Sequence, residues 1–201
     1  MASTTSNNFA LEFYKSVSTH IFNEVDKLCS SVNTFIFFSE TDDLQKTKDW
    51  VNKEFHFISQ TGKDLGEKML NAFKYLFEQN YEKVVILGSD IPDLVEVNIK
   101  QAFEVLESND IVISPSDDGG YSLLGMNNFY PELFKNVEWS TNTVFSSTKE
   151  KIKSKKLSFK TLSTLNDIDT KEELINWIHK SKNIELVKKI ENNVRKESIK
   201  L

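Results

Sequence analysis

The sequence predicts an α/β domain built on a mostly parallel sheet, and three observations carry that expectation. Lys83 to Asp93 reads K-V-V-I-L-G-S-D-I-P-D. Within it, Val84, Val85, Ile86 and Leu87 form the unbroken, β-branched apolar run of a strand buried on both faces. Similar short runs, Thr34–Phe38 and Ile111–Ile113, are separated from it by stretches with apolar residues every three or four positions. Strands alternating with amphipathic helices are the pattern of parallel sheets with helical crossovers. The central run also ends in Gly88-Ser89-Asp90, which places a carboxylate at the carboxyl edge of the sheet, where open α/β sheets bind ligands.

Taken in order, Phe9–Leu28 is an amphipathic helix, with Phe9, Phe13, Val17, Ile21 and Val25 at helical spacing. His20 lies on it as a structural or solvent-facing histidine. Thr34–Phe38 is a buried strand, closed by the loop and cap Ser39–Asp43 before a short helix near Leu44–Val51. Phe55–Ile58 is a third, outer strand. A polar loop with two glycines, Ser59–Lys68, leads into a helix over about Glu67–Gln79. After the central strand come a helix at Val95–Leu106 and the strand Ile111–Ile113, closed by Ser114-Pro115. Ser122–Met126 is a strand, Thr143–Lys151 a helix, Leu157–Leu162 the last strand, and Lys171–His179 a helix. The chain divides into a domain over residues 1–179 and a charged, glycine- and proline-free helical tail at the periphery over residues 180–201.

The chain's 201 residues suit one α/β domain with a sizeable core. A formal charge of −5 argues against a general nucleic-acid binder. Cys29 is the single cysteine, so an intrachain disulfide is excluded and a reducing, cytoplasmic setting is expected, with the thiol inert and partly buried. No run approaches the roughly 18 apolar residues of a membrane span, and Met1–Asn8 lacks the basic and apolar segments of a signal peptide.

Three acidic clusters follow strands: Asp90 with Asp93, Asp117 with Asp118, and Asp167 with Asp169. Right-handed crossovers bring the carboxyl ends of parallel strands to one edge, where such carboxylates repel one another unless a cation joins them. Oxygen donors with open positions suit Mg²⁺ or Mn²⁺, and no cysteine–histidine set offers a zinc site. Each position has a structural alternative. Asp90 can cap the turn before Pro92, Asp117 can be a solvated loop carboxylate, and Thr170 with Glu173 fits a capping box that would make Asp169 structural. Trp139 can be core or a platform for a ring. All six glycines lie between Gly62 and Gly125. Those beside Asp64 and Asp118, including Gly62, Gly119 and Gly120, serve either as turns or as close approaches to a ligand. With no Gly-x-Ser-x-Gly present, serine hydrolase chemistry is unsupported.

Five segments then occur in one order: Q-T-G-K-D-L-G-E-K-M at Gln60–Met69, G-S-D-I-P-D-L at Gly88–Leu94, D-G-G-Y-S-L-L-G at Asp118–Gly125, W-S-T at Trp139–Thr141 and N-D-I-D-T at Asn166–Thr170. Together they resemble small bacterial glycosyltransferase-like proteins of the nucleotide-diphospho-sugar transferase superfamily, the radical-SAM/selenodomain-associated or arsenosugar-biosynthesis type. The resemblance covers the chain to about Trp177. It implies a Rossmann-like GT-A fold, a three-layer sandwich, and transfer of a sugar from a nucleotide-sugar donor to a small-molecule acceptor with Mg²⁺ or Mn²⁺. Asp90 would be the metal-binding aspartate, with Asp167 or Asp169 as a second ligand or a donor contact. Gln60, Gly62 and Asp64 would lie on the loop facing the nucleotide, Gly88, Ser89, Gly119, Gly120 and Trp139 would join them in binding the donor, and Asp118 would face the acceptor as a base.

The same resemblance implies an opening strand and a basic, glycine- and proline-containing loop. Here Met1-Ala2-Ser3 stands where that loop ends, and the helix begins near Phe9. The fold is therefore expected to lack the family's first strand and much of the donor site. Lys68, where the family more often has arginine, weakens any bidentate phosphate contact. Two other readings compete with sugar transfer: a nucleotidyltransferase of the same fold, and a truncated, non-catalytic homologue.

Overall fold

The computed structural model describes residues 6–196. The expected helical spacing becomes α1 (Asn7–Asp26), opened by Ser6, whose hydroxyl accepts from Phe9 N–H at 3.0 Å. Next come β1 (Phe35–Phe38), α2 (Leu44–Val51), β2 (His56–Ser59) and α3 (Leu65–Glu78). The central run is β3 (Val84–Leu87), followed by α4 (Glu96–Val105), β4 (Ile111–Pro115) and β5 (Tyr121–Met126). A 3₁₀ turn (Pro131–Phe134), α5 (Val144–Ser154), β6 (Phe159–Thr161), α6 (Lys171–Lys180) and α7 (Ile184–Lys196) complete the described chain.

The fold is mixed α/β. β1 and β2 pair in parallel, and a second sheet runs in the order β3-β5-β4-β6. β5 pairs antiparallel with both β3 and β4, while β4 and β6 are parallel, so β3, β4 and β6 share one direction. β5 returns directly from β4 through the Ser116–Gly120 turn, a hairpin that apolar periodicity alone does not reveal.

Strand alternation distributes the core over both faces. Ile111, Ile113, Leu124 and Met126 pack with Phe73 and Leu76 of α3 and Ile152 of α5. Val112 and Leu123 pack with Ala102 of α4 and with Leu106 just beyond it. Helices thus cover both sides, which is the expected three-layer arrangement.

Three expectations differ from the structure. β3 is not buried on both faces: Val84 is buried, but Val85, Ile86 and Leu87 are half-buried, as is all of β1. Burial of a strand depends on a neighbour at each edge, and each of these has one. The described part of the tail, residues 180–196, is not peripheral either, and residues 197–201 lie outside the described chain. Leu186 and Ile190 of α7 are buried in one cluster with Phe9, Phe13 and Val17 of α1 and Trp177 of α6. Cys29 is exposed rather than partly buried. No helix among the described residues is long and apolar enough to cross a membrane.

Candidate functional site

Because β3, β4 and β6 run in one direction, the loops after them open on one edge of the sheet. Asp90 follows β3, Asp118 lies in the turn after β4, and Asp167 and Asp169 follow β6. Asp90, Asp118 and Asp167 line the same cavity, of about 1550 Å³. Asp90 is exposed at the cavity's rim, yet protein atoms crowd round its carboxyl. That partial desolvation raises the carboxyl above the ordinary range, and the charge of Asp169 adds to the effect. Asp167 is pushed up to about 6, first by burial and then by the charges of Asp169, Asp90 and Asp118. Carboxylates that raise one another in this way form an electrostatic group.

The turn holding Asp118 is built by its own side chains. Asp118 Oδ1 accepts from Ser116 Oγ and from Gly120 N–H, the latter at 2.9 Å. Gly119 has φ +88, and a Cβ there would stand 2.7 Å from Asn142 Cα and nearer still to the Asn142 carbonyl, so only glycine fits. Asn166 then ties the turn to the loop after β6. Its Nδ2 donates to Asp117 Oδ2 at 2.7 Å, and its Oδ1 accepts from Asp117 N–H at 2.9 Å. Nothing in residue type singles out Asn166; its place directly before Asp167 is the signal in the sequence.

The third acidic cluster, Asp167 with Asp169, has a local role beside its electrostatic one. Thr170 caps α6 in the expected capping box, with Glu173 N–H donating to Thr170 Oγ1 at 3.2 Å and Thr170 N–H donating to Glu173 Oε2 at 2.9 Å. Asp169 N–H also donates to Glu173 Oε2, at 2.9 Å. Asp93 lies off the rim, its Oδ1 accepting from Trp177 Nε1 at 2.8 Å. Gly88 abuts Asp90: a Cβ there would stand 2.9 Å from Asp90 Oδ1. Ser89 holds α1, its carbonyl accepting from Ser18 Oγ at 2.6 Å and its hydroxyl bonding Tyr14 at 2.9 Å.

On the glycine loop, the residues expected to face a nucleotide also have structural partners. Asp64 caps α3, accepting from Glu67 N–H at 2.8 Å. Gln60 Nε2 donates to Phe37 O at 3.0 Å. Gly62 has φ +137 and lies against the backbone of Lys68. Trp139 is stacked on Phe134 at 6.1 Å and seals against Gly66, while part of it still lines the cavity with Gln60 and Lys68. Among the described residues, no three His, Cys, Asp or Glu side chains converge tightly enough to cage a metal alone. Two rim carboxylates could instead hold a hard cation whose other positions go to water and phosphate oxygens, the usual manner of Mg²⁺.

The model of a bacterial family, described as an uncharacterized protein conserved in bacteria (DUF2064), matches residues 25–141, more than half of the chain. The chain belongs to the DUF2064 family. The matched DUF2064 region contains Asp90 and Asp118 and ends at Thr141; Asp167 and Asp169 lie beyond it. A solved candidate nucleotide-diphospho-sugar transferase from Desulfovibrio desulfuricans G20 is 28% identical, with a TM-score of 0.78, over 98% of this chain and 90% of that one. The 4-diphosphocytidyl-2C-methyl-D-erythritol synthase of Anaerococcus prevotii is similar at 13% identity and TM-score 0.57, over 82% and 86% of the two chains. A cytidylyltransferase of Leptospira borgpetersenii is similar at 16% and 0.53, over 92% and 84%. No curated protein matches. This DUF2064 chain therefore has the Rossmann-like fold shared by nucleotide-diphospho-sugar transferases and cytidylyltransferases.

Proposed function

We propose that this DUF2064 protein transfers a sugar from a nucleotide-diphospho-sugar donor to a small acceptor with Mg²⁺ or Mn²⁺. The observation that carries the reading is the meeting of Asp90, Asp118, Asp167 and Asp169 at one sheet edge, where their charges act on one another. The 28% identity to a candidate nucleotide-diphospho-sugar transferase, spanning nearly the whole chain, supports the substrate class. The finer kinship, with radical-SAM/selenodomain-associated or arsenosugar-type transferases, rests on the five ordered sequence motifs.

Asp90 and Asp167 would hold the cation, with Asp169 adjoining. When bound, the cation offsets the negative charge that develops on the leaving diphosphate. Gln60 and Lys68 line the cavity and, with Gly62 and Asp64 of the same loop, would form the donor's side, while Gly88 and Ser89 bring the backbone close to Asp90. Asp118 is oriented by the bonds to its Oδ1, which leaves Oδ2 to take the proton from the acceptor hydroxyl. Trp139 contributes a ring edge to the cavity wall.

Thermal unfolding with a panel of nucleotide-sugars and MnCl₂ tests the reading. A donor at 100 times its Kd adds about 2.7 kcal/mol, or roughly 5–10 °C in Tm for a domain of this size. Asp90→Asn and Asp167→Asn should fold and lose that shift. If no nucleotide-sugar moves the wild-type Tm, the proposal fails. Pyrophosphate release from a nucleoside triphosphate would mark nucleotidyl transfer instead, and cation binding without turnover would mark a non-catalytic homologue.

A further inference from the structure

Four polar side chains of α1 reach the same loop. Tyr14 OH bonds Ser89 Oγ at 2.9 Å, and Ser18 Oγ donates to Ser89 O at 2.6 Å. His20 Nε2 donates to Leu94 O at 2.9 Å, and Glu24 Oε2 accepts from Glu96 N–H at 3.0 Å. These partners fall between Ser89 and Glu96, the stretch that joins β3 to α4 and carries Asp90. Ile91 and Leu94 of that stretch are buried in one cluster with Phe13, Val17 and Ile21 of α1. Asp90 is thus an exposed residue on a loop fastened to α1 on both sides of it.

The Ser18 contact departs from the habit of its own helix. A serine or threonine inside a helix can donate to the carbonyl four residues back. α1 does this twice: Ser16 Oγ donates to Glu12 O at 2.7 Å, and Thr19 Oγ1 donates to Lys15 O at 2.6 Å. Ser18 stands between them with the same option at Tyr14 O. A hydroxyl has one proton to give, and Ser18 gives it to a carbonyl 71 residues along the chain. With 0% exposure, Ser18 has no solvent to bond instead.

The consequence for Asp90 follows from the planarity of the peptide unit. The carbonyl of Ser89 and the N–H of Asp90 belong to one plane, so holding the carbonyl fixes the plane from which the Asp90 side chain departs. Tyr14 grips only the Ser89 hydroxyl, which turns independently of that plane. Asp90, Asp118 and Asp167 line one cavity, and like charges gathered at one rim repel. A loop free to turn would relieve the repulsion by swinging Asp90 outward. A loop pinned at the Ser89 carbonyl keeps it in place.

We propose that Ser18 is a positioning residue: through the Ser89–Asp90 peptide plane it holds Asp90 in the orientation in which that carboxylate takes a divalent cation. The inference rests on the transferase reading, which makes Asp90 a cation ligand, and adds to it a buried residue on another element.

The test titrates Mn²⁺ into the full chain and follows the free ion by electron paramagnetic resonance. Ser18→Ala should weaken binding at least about tenfold, the usual cost of losing a group that orients a metal ligand. Ser16→Ala is the control. Ser16 is buried on the same helix, at 3% exposure, but gives its proton within that helix, so this variant should bind Mn²⁺ as the wild type does. Without metal, the ¹⁵N order parameters of Ser89 and Asp90 should fall below the rigid value of about 0.85 in Ser18→Ala alone. A serine that only stabilises the fold would lower Tm and move neither reading. If Ser18→Ala does not fold, Ser18→Cys, a weak donor of similar shape, is read in its place. Equal Mn²⁺ binding by wild type and Ser18→Ala overturns the inference, as does an equal loss in both alanine variants; either result leaves the transferase reading standing. A wild type that binds no Mn²⁺ takes the cation out of the transferase reading and overturns this inference with it.

Discussion

Gly66→Ala is a substitution for which helix propensity and packing predict opposite signs. Gly66 is the second residue of α3, where alanine ordinarily gains up to about 1 kcal/mol over glycine. A Cβ there, however, would stand 2.7 Å from Trp139 Cδ1 and nearer still to Nε1. The indole cannot retreat freely, because it is stacked on the buried Phe134 at 6.1 Å and an interplanar angle of 22°. Overpacking of this kind costs about 1–3 kcal/mol, so the net loss should be about 1–2 kcal/mol. For a domain of this length that lowers Tm by about 2–8 °C. The assay is a double-mutant cycle by differential scanning calorimetry. With Trp139→Ala as background the clash is gone, and Gly66→Ala should become neutral or stabilising. A rise in Tm in the wild-type background would refute the packing argument, as would additivity of the two changes within about 0.5 kcal/mol.

Three further outcomes follow from other contacts. Asp110 accepts from Ser158 Oγ at 2.7 Å, Ser158 N–H at 2.8 Å and Tyr130 OH at 2.9 Å, and the Ser158 hydroxyl above all holds its carboxyl below the usual range. A depressed carboxyl contributes stability above its unfolded pKa and loses it as pH falls through the folded one. Asp110→Asn should therefore cost about 1–2 kcal/mol at pH 7, and the difference in urea midpoint should vanish in strong acid. Gly119→Ala places a side chain at φ +88 against the Asn142 backbone; it should cost about 1–3 kcal/mol and reduce the donor-induced Tm shift. Ile190→Ala, at a position with 0% exposure, should cost about 2–5 kcal/mol by denaturant titration, whereas a peripheral helix would lose almost nothing.

The succession of strands and helices was legible because apolar spacing reports element type directly. The antiparallel course of β5 was not, since a period of two carries no direction; the Gly119-Gly120 turn between two apolar runs was the available hint. Half-burial of β1 and β3 was equally hidden, because the run F-I-F-F states that a strand wants to be covered and not whether a neighbour stands on each side. At the rim, the carboxylates could be picked out, as each follows a strand. Their supports could not: Asn166 gripping Asp117, Ser116 holding Asp118 and Trp139 sealing Gly66 join residues that only the fold brings together. Asp64 and Gln60 show the converse, since a polar residue in a glycine loop reads alike whether it awaits a ligand or caps a helix.

The packing of the first helix against the last has a kinetic corollary. Phe9, Phe13 and Val17 share their core with Leu186 and Ile190, which the ribosome makes about 170 residues later. At about 5–20 residues per second, the leading segment waits roughly 10–40 s, greasy side outward, before its counterpart emerges. Folding of this layer therefore waits on the synthesis of α7, and a product stalled before it would leave the apolar face of α1 uncovered.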